Sequence, residues 1–209
     1  GWAGVEFFFV ISGFVLPFAM SRAGYRLGNF WKFIYKRLVR LEPAYLASIG
    51  LVLAISFLTP LLPGSRAHPY ELDLGRLFSH LAYLCSFLNY DWYNVVYWTL
   101  AIELQFYVSV ALLFPMLVHK RPLIRAATLC ILLVVSLFAQ QKHMLPKYLP
   151  LFVMGICAFK LYVSLLNYRG WVFFTVIAGL FSLLTIGLVA TTAGLIASFV
   201  IVLSREFGL

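Results

Sequence analysis

Charged side chains are scarce in this 209-residue chain: they make up 11% of it, with seven acids against sixteen bases. A water-soluble domain carries about a quarter. With 63% hydrophobic residues and a mean hydropathy of +0.96, the composition excludes an ordinary soluble domain and specifies an integral membrane protein. Short alternating segments are also missing, so long helical runs are favoured over a β-barrel. Cysteine is limited to Cys85, Cys130 and Cys157, each inside an apolar run and without CxxC or Cys/His spacing. They read as small buried hydrophobes, and no metal site is expected. The net charge of +9 does not form a patch. Its cations fall between apolar runs, which is the pattern of membrane topology and excludes nucleic acid as a partner. No signal peptide is visible; the chain begins at Gly1 and stops at Leu209 just after an apolar run. Both ends read as cut, and residues 1–209 as one transmembrane domain of a longer protein.

What is present is a series of apolar runs at 1–20, 43–62, 98–118, 124–141, 149–166, 172–190 and a shorter one near 191–203. The first six approach the ~17–25 residues that cross a hydrocarbon core. The fold expected is therefore an all-α polytopic bundle of about seven spans. Segment 77–90, with His80 and Asn89, is too short to cross and reads as re-entrant or interfacial. Topology supports this. Arg22, Arg26, Lys32, Lys36, Arg37 and Arg40 precede the second run, and Lys120, Arg121 and Arg125 follow the third. Both groups belong inside by the positive-inside rule, so two crossings separate them. Extended along the chain, this puts twelve cations inside and four (Arg66, Arg76, Lys142, Lys147) outside.

Residues 31–41 carry Trp31, Ile34, Tyr35, Leu38 and Leu41 at helical spacing, with Lys32, Lys36, Arg37 and Arg40 on the rest. This predicts a basic amphipathic helix at the inner interface, with Pro43 starting the next span. Arg37 and Arg40, three apart, project from neighbouring points of one face, where they could clamp phosphate or anchor lipid headgroups.

Glu103 is the carboxylate of the third run, five residues in from Trp98. An ionisable group inside a span is costly and marks a function or a partner. At ~1.5 Å per residue it lies some 7–8 Å below the outer surface. Glu6 is similarly deep in the first run, so the pair predicts a polar pocket opening outwards. Either acid could serve as a general acid or base, as a hydroxyl-binding group, or as a structural partner to a neighbouring helix. Ser12-Gly13 reads as a close-packing helix contact; a serine nucleophile lacks the G-x-S-x-G context. Of the histidines, His68, His80 and His143 fall outside and His119 inside. His80 is the best placed of them, with a hydrogen-bonded structural role as its alternative.

Three stretches together resemble the acyltransferase 3 family of membrane O-acyltransferases. Gly1-Trp-Ala-Gly-Val-Glu-Phe-Phe-Phe-Val-Ile-Ser-Gly-Phe14 is similar to its G-V-(D/E)-x-F-F-x-x-S-G-F span. Arg37-Leu-Val-Arg40-Leu-Glu-Pro43-Ala-Tyr45 is similar to its R-x-x-R-(L/I)-x-P-x-Y element. Trp98-Thr-Leu-Ala-Ile-Glu103-Leu-Gln-Phe106-Tyr107 is similar to its W-(S/T)-L-x-x-E-x-x-F-Y signature. The resemblance implies transfer of an acyl group, usually acetyl, from cytoplasmic acyl-CoA to a hydroxyl of an extracytoplasmic glycan or lipid-linked glycan. It implies that Arg37 and Arg40 bind the coenzyme A phosphates, that Glu103 and Glu6 are the acidic site residues, and that Ser12, Gly13, Trp98, Phe106 and Tyr107 shape the pocket. Membrane lipids surround the bundle. The family's catalytic histidine follows an Arg or Glu by eleven positions in a preceding span. None of the four histidines here has that spacing, so the base is expected upstream and the chain alone is expected not to turn over. The competing expectations are a secondary transporter that uses Glu6 and Glu103 for protons or substrate, and a non-catalytic scaffold.

Overall fold

The computed structural model describes residues 3–62, 71–138 and 143–206; Gly1, Arg66, His68 and Lys142 lie outside the described residues. The described chain is helical: α1 (Ala3–Arg22), α2 (Phe30–Leu58), α3 (Leu74–Leu81), α4 (Cys85–Leu88), α5 (Tyr97–Leu117), α6 (Pro122–Phe138), α7 (Leu145–Tyr162), α8 (Tyr168–Thr185) and α9 (Leu188–Glu206). Six of these (α1, α2, α5, α7, α8 and α9) are long and apolar enough to cross a membrane. At 17 residues, α6 falls just short. The protein is an integral, multi-pass membrane protein, and its outward side chains agree with that. Leu51, Phe57, Phe173, Leu184 and Phe199 are exposed large hydrophobics, a surface suited to lipid rather than water.

At the centre is α7, apolar nearly all round and buried along most of its length, which is the pattern of a helix enclosed by others. It packs against α1, α5, α6, α8 and α9. The α1–α7 contact depends on glycine. A Cβ at Gly13 would strike the carbonyl oxygen of Phe152, and one at Gly155 the carbonyl oxygen of Val10. The two backbones therefore touch, as small residues permit in membranes. Behind this contact Phe106 of α5 stacks on Phe152 at 3.9 Å and Phe9 packs on the same ring at 4.9 Å. At the C-terminal end of α7, Lys160 is fully buried and its Nζ donates to the Arg125 carbonyl at 3.2 Å. Arg125 in turn donates to the carbonyls of His119 and Leu165, both at 2.9 Å.

Two sequence expectations change. The basic segment is helical as expected, but no break occurs at Pro43: α2 runs unbroken for 29 residues. Proline removes one backbone donor, here the partner of the Val39 carbonyl, and membrane helices tolerate this. A helix of this length spans about 44 Å, more than the ~30 Å hydrocarbon core. Segment 77–90 does not cross, as expected, but it divides into α3 and α4, of eight and four residues. The break is Tyr83, held at φ 58°, and α4 ends on Asn89 at φ 57°.

The same proline chemistry explains the α1–α2 turn. Pro115 in α5 leaves the Ala111 carbonyl without its helical donor. The Tyr25 hydroxyl supplies the missing bond at 3.0 Å, and its ring meets Phe33 and Phe114 edge-on. The turn that launches α2 is thereby pinned to the side of α5.

Candidate functional site

On α5, residues 96, 99, 100, 103 and 107 recur at three- and four-residue steps and share one face. This face meets α1 and α2 around a cavity of about 590 Å³. Glu103, Tyr107, Arg37, Arg40, Ser12 and Thr99 are its polar lining, and α1 supplies an apolar wall that includes Val5, Phe8 and Ile11. Glu103 is buried, and the Tyr107 hydroxyl donates to its Oε1. Both guanidiniums lie within electrostatic reach of the Glu103 carboxylate and the Tyr107 hydroxyl. Arg37 sits over the Tyr107 ring at 5.6 Å and over Phe33 at 5.5 Å.

This placement revises the expected geometry. Tyr107 is the middle residue of the 21-residue α5, so Arg37 reaches mid-span rather than remaining at the inner interface. The unbroken α2 makes this possible. An Arg at the centre of a span costs about 2.5–3.5 kcal/mol on insertion scales, which a polar cavity and an opposing carboxylate offset. Two cations face one carboxylate, so the cavity carries one unit of excess positive charge and favours an anionic or electron-rich guest.

Five expected site residues therefore meet in one cavity: Ser12, Arg37, Arg40, Glu103 and Tyr107. Four do not. Glu6 is rotated off the α1 face that lines the cavity. Its carboxylate acts on Tyr148 of α7, and its Oε2 is buried without a hydrogen-bond partner among the described residues. The expected two-acid pocket is thus absent: helical rotation sends one acid to each side of α1. The acid pairing on which the transport expectation relied goes with it. Gly13 forms the α1–α7 contact, Phe106 stacks on Phe152, and Trp98 stacks on Tyr148 at 5.4 Å. All three support the cavity from behind.

Sequence reasoning missed the aromatic cluster that joins α2, the α3–α4 segment and α5. Tyr45 of α2 stacks on Tyr83 at 4.7 Å, meets Tyr97 edge-on at 5.0 Å and donates to the His80 carbonyl at 3.0 Å. Tyr97 and Ser48 share a 2.6 Å hydrogen bond. Tyr83 lies within reach of both the Glu42 and the Glu103 carboxylates; burial, then those charges, push its hydroxyl well above the usual phenol range. Glu42 sits next to Pro43 in the R-x-x-R element, and this adjacency was the available signal. Long-range stacking by Tyr83 left none. His80 has a structural role. Its Nδ1 lies 2.8 Å from the Arg76 carbonyl, its Nε2 accepts from the Tyr93 N–H at 2.9 Å, and its ring stacks on Tyr93 at 4.1 Å. Among the described residues, no three His, Cys, Asp or Glu side chains gather where they could hold a metal ion.

A helix bundle that buries a carboxylate and sets a half-buried and an exposed arginine against it in one cavity defines a polytopic membrane protein with an internal polar site. The chain belongs to the acyltransferase 3 family: the family's model, described as an acyltransferase domain, matches residues 3–204. Among curated proteins it is similar to the O-acetyltransferase OatA of Staphylococcus aureus, in strains NCTC 8325 / PS 47, COL and MRSA252. Each is 32% identical over 152 residues, a match that covers 66% of this chain and 24% of the relative. The chain thus spans about a quarter of the length of these relatives. No solved structure matches it significantly.

Proposed function

We propose that this chain carries the acyl-transfer centre of a membrane O-acetyltransferase, which moves an acetyl group from cytoplasmic acetyl-CoA to a hydroxyl of an extracytoplasmic glycan or glycolipid. The observation that carries the reading is the meeting of Arg37, Arg40, Glu103 and Tyr107 in one cavity at mid-span. The family and the relatives named O-acetyltransferase support the reaction type.

In this reading the donor's arm rises from the inner side and presents its thioester beside the arginines. The acceptor hydroxyl oxygen attacks the thioester carbonyl carbon. A carbon–oxygen bond forms, the carbon–sulfur bond breaks, and the hydroxyl proton ends on the departing thiol by way of a base. As the carbonyl oxygen gains negative charge, the guanidiniums of Arg37 and Arg40 are its stabilising donors, already positioned beside Glu103 and Tyr107. Glu103, held by Tyr107, accepts a hydrogen bond from the incoming hydroxyl and aims its oxygen. No acyl-enzyme is required, since direct attack completes the transfer.

The test is acetyl-CoA-dependent transfer by the full-length protein in lipid nanodiscs, read as free thiol released on addition of a glycan acceptor. Acceptor-dependent thiol release that disappears in Glu103→Gln supports the reading. Proton-coupled uptake of a solute into vesicles, with no thiol released under any acceptor, favours transport instead.

A further inference from the structure

A second cavity, of about 430 Å³, lies below the first where the α1–α2 turn meets α2. Its polar lining is Tyr25, Asn29, Lys32, Lys36 and Arg37, and no carboxylate lines it. Arg37 lines both cavities, so it marks where they adjoin. Lys32, Lys36 and Arg40 follow one another at four-residue steps with Arg37 beside them, a ladder of four cations rising about 12 Å along α2. The N-terminus of α2 opens at the same place, and Asn29 makes no side-chain cap bond there; this end of the helix favours negative charge. Lys32 and Lys36 are exposed, and among the described residues no carboxylate pairs with either.

We propose that this lower cavity is the phosphate subsite of the donor: Lys32, Lys36 and Asn29 hold the phosphate groups of a nucleotide-linked thioester, and Arg37 is the throat through which its arm passes to Glu103. The inference rests on the acyl-transfer reading and alters one part of it. The sequence resemblance assigns the phosphates to Arg37 and Arg40, whereas both of these face the buried carboxylate. Taken as pairs, the lysines lie about one turn nearer the N-terminal end of α2, and both are exposed, so a strongly hydrated dianion need not be stripped of water there. A lipid headgroup presents the same phosphate chemistry, but it has no arm to reach past Arg37 into the first cavity.

The test uses the protein in phosphatidylcholine nanodiscs, with adenosine 3′,5′-bisphosphate as a probe that carries the phosphates without the arm. The wild type is expected to bind the probe. Lys32→Ala/Lys36→Ala is expected to weaken it about tenfold or more, as loss of charge-assisted contacts does, and to raise the donor KM with kcat held within about twofold. Lys32→Arg/Lys36→Arg retains binding, which separates charge from folding. Arg40→Ala keeps probe binding while it loses transfer. Three results overturn the proposal: no binding by the wild type, unchanged binding and donor KM in the double alanine variant, or displacement of the probe by added phosphatidylglycerol with no change in donor KM, which would make the cavity a headgroup anchor. Wild-type protein that binds the probe yet never transfers acetyl would instead count against the acyl-transfer reading and leave the phosphate subsite standing.

Discussion

The guanidinium of Arg37 lies 5.6 Å from the centre of the Tyr107 ring, and the hydroxyl of that tyrosine donates to Glu103. One side chain thus couples the cation of α2 to the carboxylate of α5. Tyr107→Phe keeps the ring under Arg37 and deletes only the bond to Glu103. A hydrogen bond to a charged group is worth about 1.5–3 kcal/mol, so transfer should fall on the order of tenfold to a hundredfold, with some loss of thermal stability because the buried carboxylate loses its partner. Steady-state transfer and unfolding temperature, measured together, check this.

Gly13 and Gly155 allow α1 and α7 to touch backbone to backbone. Valine at either position forces the helices apart, and overpacking of this kind costs about 1–3 kcal/mol or more. Gly155→Val should lower the unfolding temperature and broaden the size-exclusion profile. By contrast, Gly4→Ala should be silent, because a Cβ there meets nothing within 4 Å.

Much of the bundle was legible in the sequence because the bilayer leaves little choice. Spans are set by apolar length. The motifs placed Arg37, Arg40, Glu103 and Tyr107 in one site, and the cavity holds all four. What failed were inferences of depth and rotation. Glu6 matched Glu103 in depth, but nothing in a one-dimensional pattern showed that it turned to Tyr148. Pro43 looked like a boundary because proline usually is one, yet in α2 it costs a single backbone bond and the helix continues. The Tyr45–Tyr83–His80 cluster joins residues 35 to 38 positions apart, and no local spacing announces such a contact.

Tyr25 and Pro115 form a pair that a double-mutant cycle can measure. Tyr25→Phe leaves the Ala111 carbonyl without a donor and should cost roughly 0.5–1.5 kcal/mol. In a Pro115→Ala background the helix supplies its own N–H, so the same substitution should cost clearly less. Equal costs in both backgrounds would show that the hydroxyl is not serving the orphaned carbonyl.

His80 should make the Tyr45–Tyr83–His80 cluster sensitive to acid. Burial, reinforced by the charge of Arg76, holds its pKa below the ordinary 6.5. The geometry requires the neutral ring, with Nδ1–H toward the Arg76 carbonyl and an unprotonated Nε2 receiving the Tyr93 N–H. Because the folded value is the lower one, this contribution is complete above about pH 6.5 and is lost as pH falls from there toward the folded value. Protection of residues 74–97 from hydrogen exchange, corrected for the intrinsic pH dependence of the exchange rate, should fall below pH 6.5, and His80→Asn should flatten that dependence. Equal protection at pH 5 and pH 7.5 would contradict it.

The central claim is that the cavity between α1, α2 and α5 is the site of acyl transfer, and that the carboxylate on the far side of α1 is not part of it. The most direct measurement compares acetyl-CoA-dependent transfer by Glu103→Gln and Glu6→Gln in protein matched for folding. The expected result is a loss of about a hundredfold or more in kcat for Glu103→Gln and a change within about threefold for Glu6→Gln. Transfer that survives Glu103→Gln and collapses in Glu6→Gln would place the reaction on the other face of α1 and contradict the account.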